Sequence, residues 1–369
     1  MKRLASLIAL ALLLPLFTVQ AFAVTDIRAQ QSDAYGVSEL ESAVPEEAYE
    51  IWGNVTVNDA AHPQSLLQSL WQNFSGSSTE LFSSAMHNAA EILLLCFLVA
   101  AVQMMPMDGG QARLCSIIGS VSLTLICTRE AAACVPLGFH TIETLSSFSE
   151  KLLPALCAAA TAGGAVTSAG AKYAVASLAL DLLVSVMTNL IKPALYLYIT
   201  AVAAGNVLQN DILLSVTSLL KRILRIFLIG TAVLFTGYLA LTGILSGSVD
   251  ATAAKAAKTT ISTVLPVVGG ILSDAADAVV SGAGILRAGI GSLGVLCVLA
   301  VCVTPYASLG IHYLIYQVMS GFTDAFSDKR IAALLRGFSD IYAMLLGTAG
   351  TVTFVLFASI VSLMRAVNG

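Results

Sequence analysis

The sequence predicts an all-α polytopic membrane protein with seven or eight transmembrane helices. Three observations predict it. Of 369 residues, 57% are hydrophobic and only 11% are charged, against about 25% charged in a typical soluble domain. The mean hydropathy is +0.87. From residue 84 onward, apolar stretches of about twenty residues recur, the length that carries an α-helix across a hydrocarbon core of about 30 Å. Burying this much apolar surface in water would need a core larger than the chain can wrap, so the bilayer is its solvent.

Residues 1–23 are expected to form a secretory signal peptide. Lys2 and Arg3 give the positive start, Leu4 to Phe17 the apolar core, and Ala21-Phe22-Ala23 the small-residue cleavage site. Cleavage between Ala23 and Val24 would leave the mature N-terminus outside the cytoplasm.

Residues 24–83 form an acidic extracytoplasmic segment, with nine acidic residues and a single basic one, Arg28. Low hydrophobicity with high net charge favours a flexible chain. Within it, Leu66, Leu67, Leu70, Trp71 and Phe74 share one helical face. That pattern suits a short amphipathic helix, at the membrane interface or docked on the bundle.

Residues 84–369 form the membrane domain, with spans expected at 85–105, 114–136, 152–170, 173–191, 193–209, 223–246, 290–312 and 341–363. The third is rich in Ala, Gly and Thr and suits close helix packing. The fourth and fifth meet at Lys192-Pro193 and also read as one broken helix, hence seven or eight. An eight-span count puts Lys221, Arg222 and Arg225, and also Lys329, Arg330 and Arg336, on the cytoplasmic side, as the positive-inside rule requires.

The same count puts 251–289 outside the cytoplasm. Pro266 interrupts an apolar run there, and Gly269 and Gly270 follow at once. Proline breaks a helix and glycine opens backbone angles closed to other residues. Ser273 is placed to cap a helix beginning near Asp274, with Asp277 on the same face. A helical hairpin follows, re-entrant or lying on the membrane surface.

Two polar positions fall inside apolar stretches. Asp181 lies mid-span in 173–191. Nine Leu, Ile and Val residues there contribute roughly −3 to −5 kcal/mol to insertion, while a central Asp costs roughly +2.5 to +3.5. It must face protein, either lining an ion or solute path or packed as a protonated or hydrogen-bonded carboxyl. Arg129 and Glu130 are adjacent, so they point in different directions on a helix. A break or end of the second span near residue 128 is expected.

No catalytic pattern emerges, and the chain is expected not to be an enzyme. His62, His87, His140 and His312 do not pair with Cys, Asp or Glu at metal-ligand spacing. Gly163-Gly164 and Gly269-Gly270 lack the Lys-Ser or Lys-Thr of a phosphate loop. The seven cysteines lie in or beside apolar stretches without a CxxC, so they read as small buried residues. No cofactor is implied, and a net charge of −4 with dispersed basic residues leaves no nucleic-acid footprint.

The stretch 258–294 also carries a resemblance. Lys258, Pro266-Val267-Val268-Gly269-Gly270, Ser273-Asp274 with Asp277, then Gly291 and Gly294 resemble the signature of the stage III sporulation protein AE family. Arg287-Ala288-Gly289 departs from it, standing where a Lys-Asn-Ala-like run is expected. The resemblance implies a membrane component of the channel or secretion-like complex that connects mother cell and forespore, needed for late forespore development. It implies other membrane proteins of the stage III A complex as partners, an encoded ATPase, and the mother-cell-derived outer forespore membrane as location. The signature residues are then partner-contact residues, and a homo-oligomer is compatible with them. Composition alone supports only a polytopic membrane protein with a cleaved signal; a secondary transporter or permease for a small solute, toward which Asp181 and Lys192-Pro193 point, and a membrane scaffold for partner proteins stand beside that reading.

Overall fold

The structure is a computed structural model that describes residues 35–61, 63–103, 109–208, 211–245, 269–326 and 329–365. Among these, every regular element is helical. Two short helices, α1 (Val37–Ser42) and α2 (Glu46–Trp52), lead to a 3₁₀ turn (Asp59–Ala61). Glu46 and Glu47 occupy the first turn of α2, where the helix dipole favours negative charge. The long helices are α3 (Pro63–Gln103), α4 (Gly109–Ala162), α5 (Val166–Val186), α6 (Lys192–Val207), α7 (Asp211–Leu245), α8 (Gly269–Phe326) and α9 (Lys329–Met364).

Five stretches among the described residues are long and apolar enough to cross a membrane: Pro63–Val102, Ile117–Ala162, Val166–Val207, Gly282–Asp324 and Arg330–Met364. The all-α membrane architecture stands, and the candidate crossings among the described residues are longer than the stretches the sequence predicts. Expected pieces have joined. The amphipathic stretch 66–74 and the first span belong to one helix, α3, of 41 residues. The span 114–136 and most of 152–170 belong to α4, whose 54 residues extend roughly 80 Å at 1.5 Å per residue. No break occurs near residue 128.

The joins have local causes. The polar middle of α4 is held by charges from other elements: Glu143 meets Lys192 at 3.6 Å, Lys151 meets Glu39 at 3.9 Å and His140 meets Glu47 at 3.9 Å. The expected third span ends early, at Ala162, because Gly164 takes φ 98°. Gly164 N–H then donates to Thr161 O at 3.0 Å and Ala165 N–H to Ala160 O at 3.2 Å, the paired bonds of a Schellman helix end. At Lys192-Pro193, a π-helical turn over Met187–Ile191 connects α5 to α6. Pro193 falls in the first turn of α6, where its missing N–H is tolerated, so the two expected spans form one continuous rod.

In the signature stretch, Lys258 and Pro266 lie outside the described residues, as do Ala23 and Val24. Helix α8 begins at Gly269 and runs without interruption to Phe326. Ser273 therefore sits inside the helix rather than capping it. Residues 271–286 run on into the expected 290–312 span in this one helix, while the rest of the expected hairpin, from 251 to its break at Pro266, lies outside the described residues. Nothing in the Ser273–Asp277 composition stops a helix already begun at Gly269.

Helices α8 and α9 form an antiparallel hairpin packed on α4, and α3, α5, α6 and α7 surround it. The core runs along this junction and holds Tyr316, Tyr342, Phe338, Phe139 and Phe148. Close approach depends on missing side chains. A Cβ on Gly294 would lie 2.7 Å from Leu152 Cδ2 of α4, and one on Gly291 would strike Met364 of α9. All seven cysteines are unpaired, five of them buried.

Candidate functional site

The α4–α8–α9 junction carries the most developed buried polar cluster among the described residues. Glu130 leaves α4 on the inner face, while its neighbour Arg129 is exposed, as the 100° step of a helix dictates. Tyr316 of α8 donates its phenolic proton to Glu130 Oε2 at 2.5 Å. Tyr316 stacks on Tyr342 of α9 with ring centroids 5.2 Å apart, and His312 lies 5.3 Å from Tyr342 on the next turn. Phe338 closes the group at 6.3 Å from Tyr316.

His312 Nδ1 lies 2.8 Å from Ser308 O. A carbonyl only accepts, so Nδ1 carries a proton in this contact. The Tyr342 hydroxyl is fully buried, with no hydrogen-bond partner of good geometry among the described residues. One turn away, Ser339 donates to Gln317 Oε1 at 3.2 Å and to Tyr313 O at 3.3 Å. Three helices are thus stitched by side chains far apart in sequence. Its chemistry is that of a half-buried carboxylate held by a buried phenol, with an imidazole nearby.

Two more polar contacts flank it. Lys221 and Arg225 of α7 grip the two carboxylate oxygens of Asp340 on α9, Arg225 at 3.4 Å. The basic cluster of α7 therefore meets α9 one turn beyond Arg336. Further along the hairpin, Tyr306 and Thr353 share a hydrogen bond of 2.5 Å, with Cys302 Sγ at 3.4 Å from the same hydroxyl. They sit on the wall of a cavity of about 790 Å³ whose other walls include Leu70, Trp71 and Phe74 of α3.

The described signature residues do not converge on this cluster. Gly269, Gly270, Ser273, Asp274 and Asp277 lie along the first turns of α8. Gly291 and Gly294 face Met364 and Leu152 of the same chain. Asp181 is exposed on the outward face of α5, so it is not packed or hydrogen-bonded within its own bundle. The sequence missed Tyr316 and Asp340, whose hydrogen-bond partners are more than a hundred positions away, and Tyr342, whose ring packs on Tyr316 and His312 of another helix. Arg287, the departure from the family pattern, is buried in α8 with Nη1 unpaired among the described residues.

The model of the stage III sporulation protein AE family matches residues 58–366, well over half of the chain. The chain belongs to this family. The match takes in the whole junction and leaves α1 and α2 outside it. A curated relative from Bacillus subtilis (strain 168), named stage III sporulation protein AE, is 22% identical over 231 residues. That alignment covers 62% of this chain and 57% of the relative, somewhat over half of its length. No solved structure matches. Family membership carries a role in sporulation, and the apolar helices carry a place in a membrane.

Proposed function

We propose that this chain is a multi-pass component of the sporulation channel complex between mother cell and forespore, acting as a helical body rather than as an enzyme. Membership of the stage III sporulation protein AE family carries the proposal. The geometry supports it. The buried polar groups tie α4, α7, α8 and α9 together, which suits a component that assembles and holds shape. The chain then works in the mother-cell-derived outer forespore membrane beside other stage III A proteins, with Lys221, Arg225 and Lys329 toward the cytoplasm.

The test is a deletion strain followed through sporulation by microscopy. Engulfment is expected to finish, and the forespore then to stop developing, with the intact gene restoring heat-resistant spores. Normal spore yield in the deletion strain would overturn the proposal.

A further inference from the structure

The amphipathic face of α3 does not close on the α8–α9 hairpin. Between them lies the cavity of about 790 Å³, inside the range of about 300–1,000 Å³ usual for ligand pockets. Trp71, Phe354 and Phe357 on its wall are exposed, so it opens on the flank of the bundle. Its polar groups already satisfy one another. Thr353 donates to Ala349 O at 3.0 Å, so Tyr306 donates its proton to Thr353 Oγ1, at 2.5 Å. Cys302 Sγ lies 3.4 Å from the same oxygen. Apart from these three and the Trp71 indole, every wall residue is apolar.

Physical chemistry narrows what can fill this space. Water is poorly held, because an apolar cavity stays dry. A dry void of this size would cost more than the net stability of a typical domain. A helix of another protein does not fit. α3 packs on α8, packed helices stand about 8–10 Å apart, and a helix with its side chains is about 10–12 Å across. No single side chain approaches the volume. A hydrocarbon chain is thin, flexible and wholly apolar, and the bilayer around the bundle supplies it.

We infer that this cavity is a lipid site that holds one acyl chain of a membrane lipid beneath the amphipathic stretch of α3. The acyl chain brings no polar group to the wall and meets none in need of a partner, since Tyr306 and Thr353 both use their protons within the protein. Trp71, Phe354 and Phe357 flank its entry. Gly350 and Ala307 line the cavity, and a Cβ on Gly350 would meet nothing within 4 Å, so the backbone of α9 leaves room there. The site needs only a bilayer and does not depend on the sporulation role.

The test uses the full chain in detergent with Trp52→Phe, which leaves Trp71 as its only tryptophan. The probes are a phosphatidylcholine with dibrominated acyl chains and, separately, dibrominated stearic acid, since bromine quenches indole fluorescence on contact. Quenching of Trp71 is expected to saturate as a single site. Gly350→Leu and, separately, Ala307→Leu fill the space and weaken binding roughly fourfold or more, the worth of one buried methylene. Gly230→Leu, on an exposed face of α7, leaves it unchanged. Saturation with the phospholipid alone supports a phospholipid as the source of the chain, and saturation with the free acid supports a fatty acid. Quenching that never saturates, or that all three leucine variants leave equal, would overturn the inference. So would a co-purified polypeptide that must be stripped away before quenching begins.

Discussion

Tyr316 and Glu130, 186 positions apart in the chain, meet through a 2.5 Å hydrogen bond that joins α8 to α4. Tyr316 is 1% exposed, so no water replaces its proton once it is gone. Tyr316→Phe is expected to lower stability in detergent by about 1.5–3 kcal/mol, the range for a bond to a charged group. Glu130→Gln keeps an acceptor and costs less. The double variant should show a coupling of about 0.5–3 kcal/mol in a thermal-unfolding cycle. Additive losses would show that the contact contributes nothing to holding the helices.

Asp340 takes both Lys221 and Arg225, and its side chain is only 15% exposed. Asp340→Asn should cost about 1–3 kcal/mol, since it leaves two cations without their carboxylate. Exchanging the charges with Lys221→Asp and Asp340→Lys should recover part of that loss. Thermal melting of the two variants and the parent at matched salt checks this, and an exchange no better than Asp340→Asn alone would count against the pair.

Gly289 lets the segment before α3 close on α8. A Cβ there would stand 2.6 Å from Val57 Cγ1 and 3.0 Å from the Val57 carbonyl. Because backbone is in the way, Gly289→Ala should lift residues 35–61 off the bundle. Limited proteolysis should then cut within that segment faster, while the melting of the bundle changes little. Unchanged cleavage would mean that the segment adapts.

The same segment carries a pH dependence. Thr56 donates to Asp59 Oδ2 from both its N–H, at 3.0 Å, and its hydroxyl, at 2.7 Å. These bonds hold the Asp59 carboxyl below its ordinary value. A lowered folded-state value means that the contribution is complete above the unfolded carboxylate value of about 3.9 and is lost as pH falls through the folded one. Trp52 donates its indole N–H to Leu66 O and Ser69 Oγ, each at 3.0 Å, and so reports on this region. In a Trp71→Phe background, its fluorescence should hold steady from pH 7 to 5 and change below about 4. Asp59→Asn should flatten that change.

The membrane class and the α-helical content were legible because composition and apolar length report the solvent directly. The lengths of the helices were not. A window of hydropathy ends at His140 and Glu143, yet α4 continues, because Glu47 and Lys192 arrive from elsewhere to meet them. The same blindness turned Arg129-Glu130 into an expected helix end. One residue faces out and the other finds Tyr316, and only tertiary packing shows it. The glycines of the signature were legible as special positions, and Gly291 and Gly294 do mark close approaches. That their neighbours are this chain's own Met364 and Leu152 could not be read from spacing. Asp181 was legible as costly in lipid, and the structure adds the direction it faces.

The central claim is that this chain is a working part of a multi-protein sporulation membrane complex. Crosslinking in sporulating cells after engulfment, followed by purification of the tagged chain, tests it most directly. The account predicts recovery of companion stage III A membrane proteins, strongest after engulfment and absent from vegetative cells. Recovery of this chain alone, from cells that are forming spores normally, would contradict it.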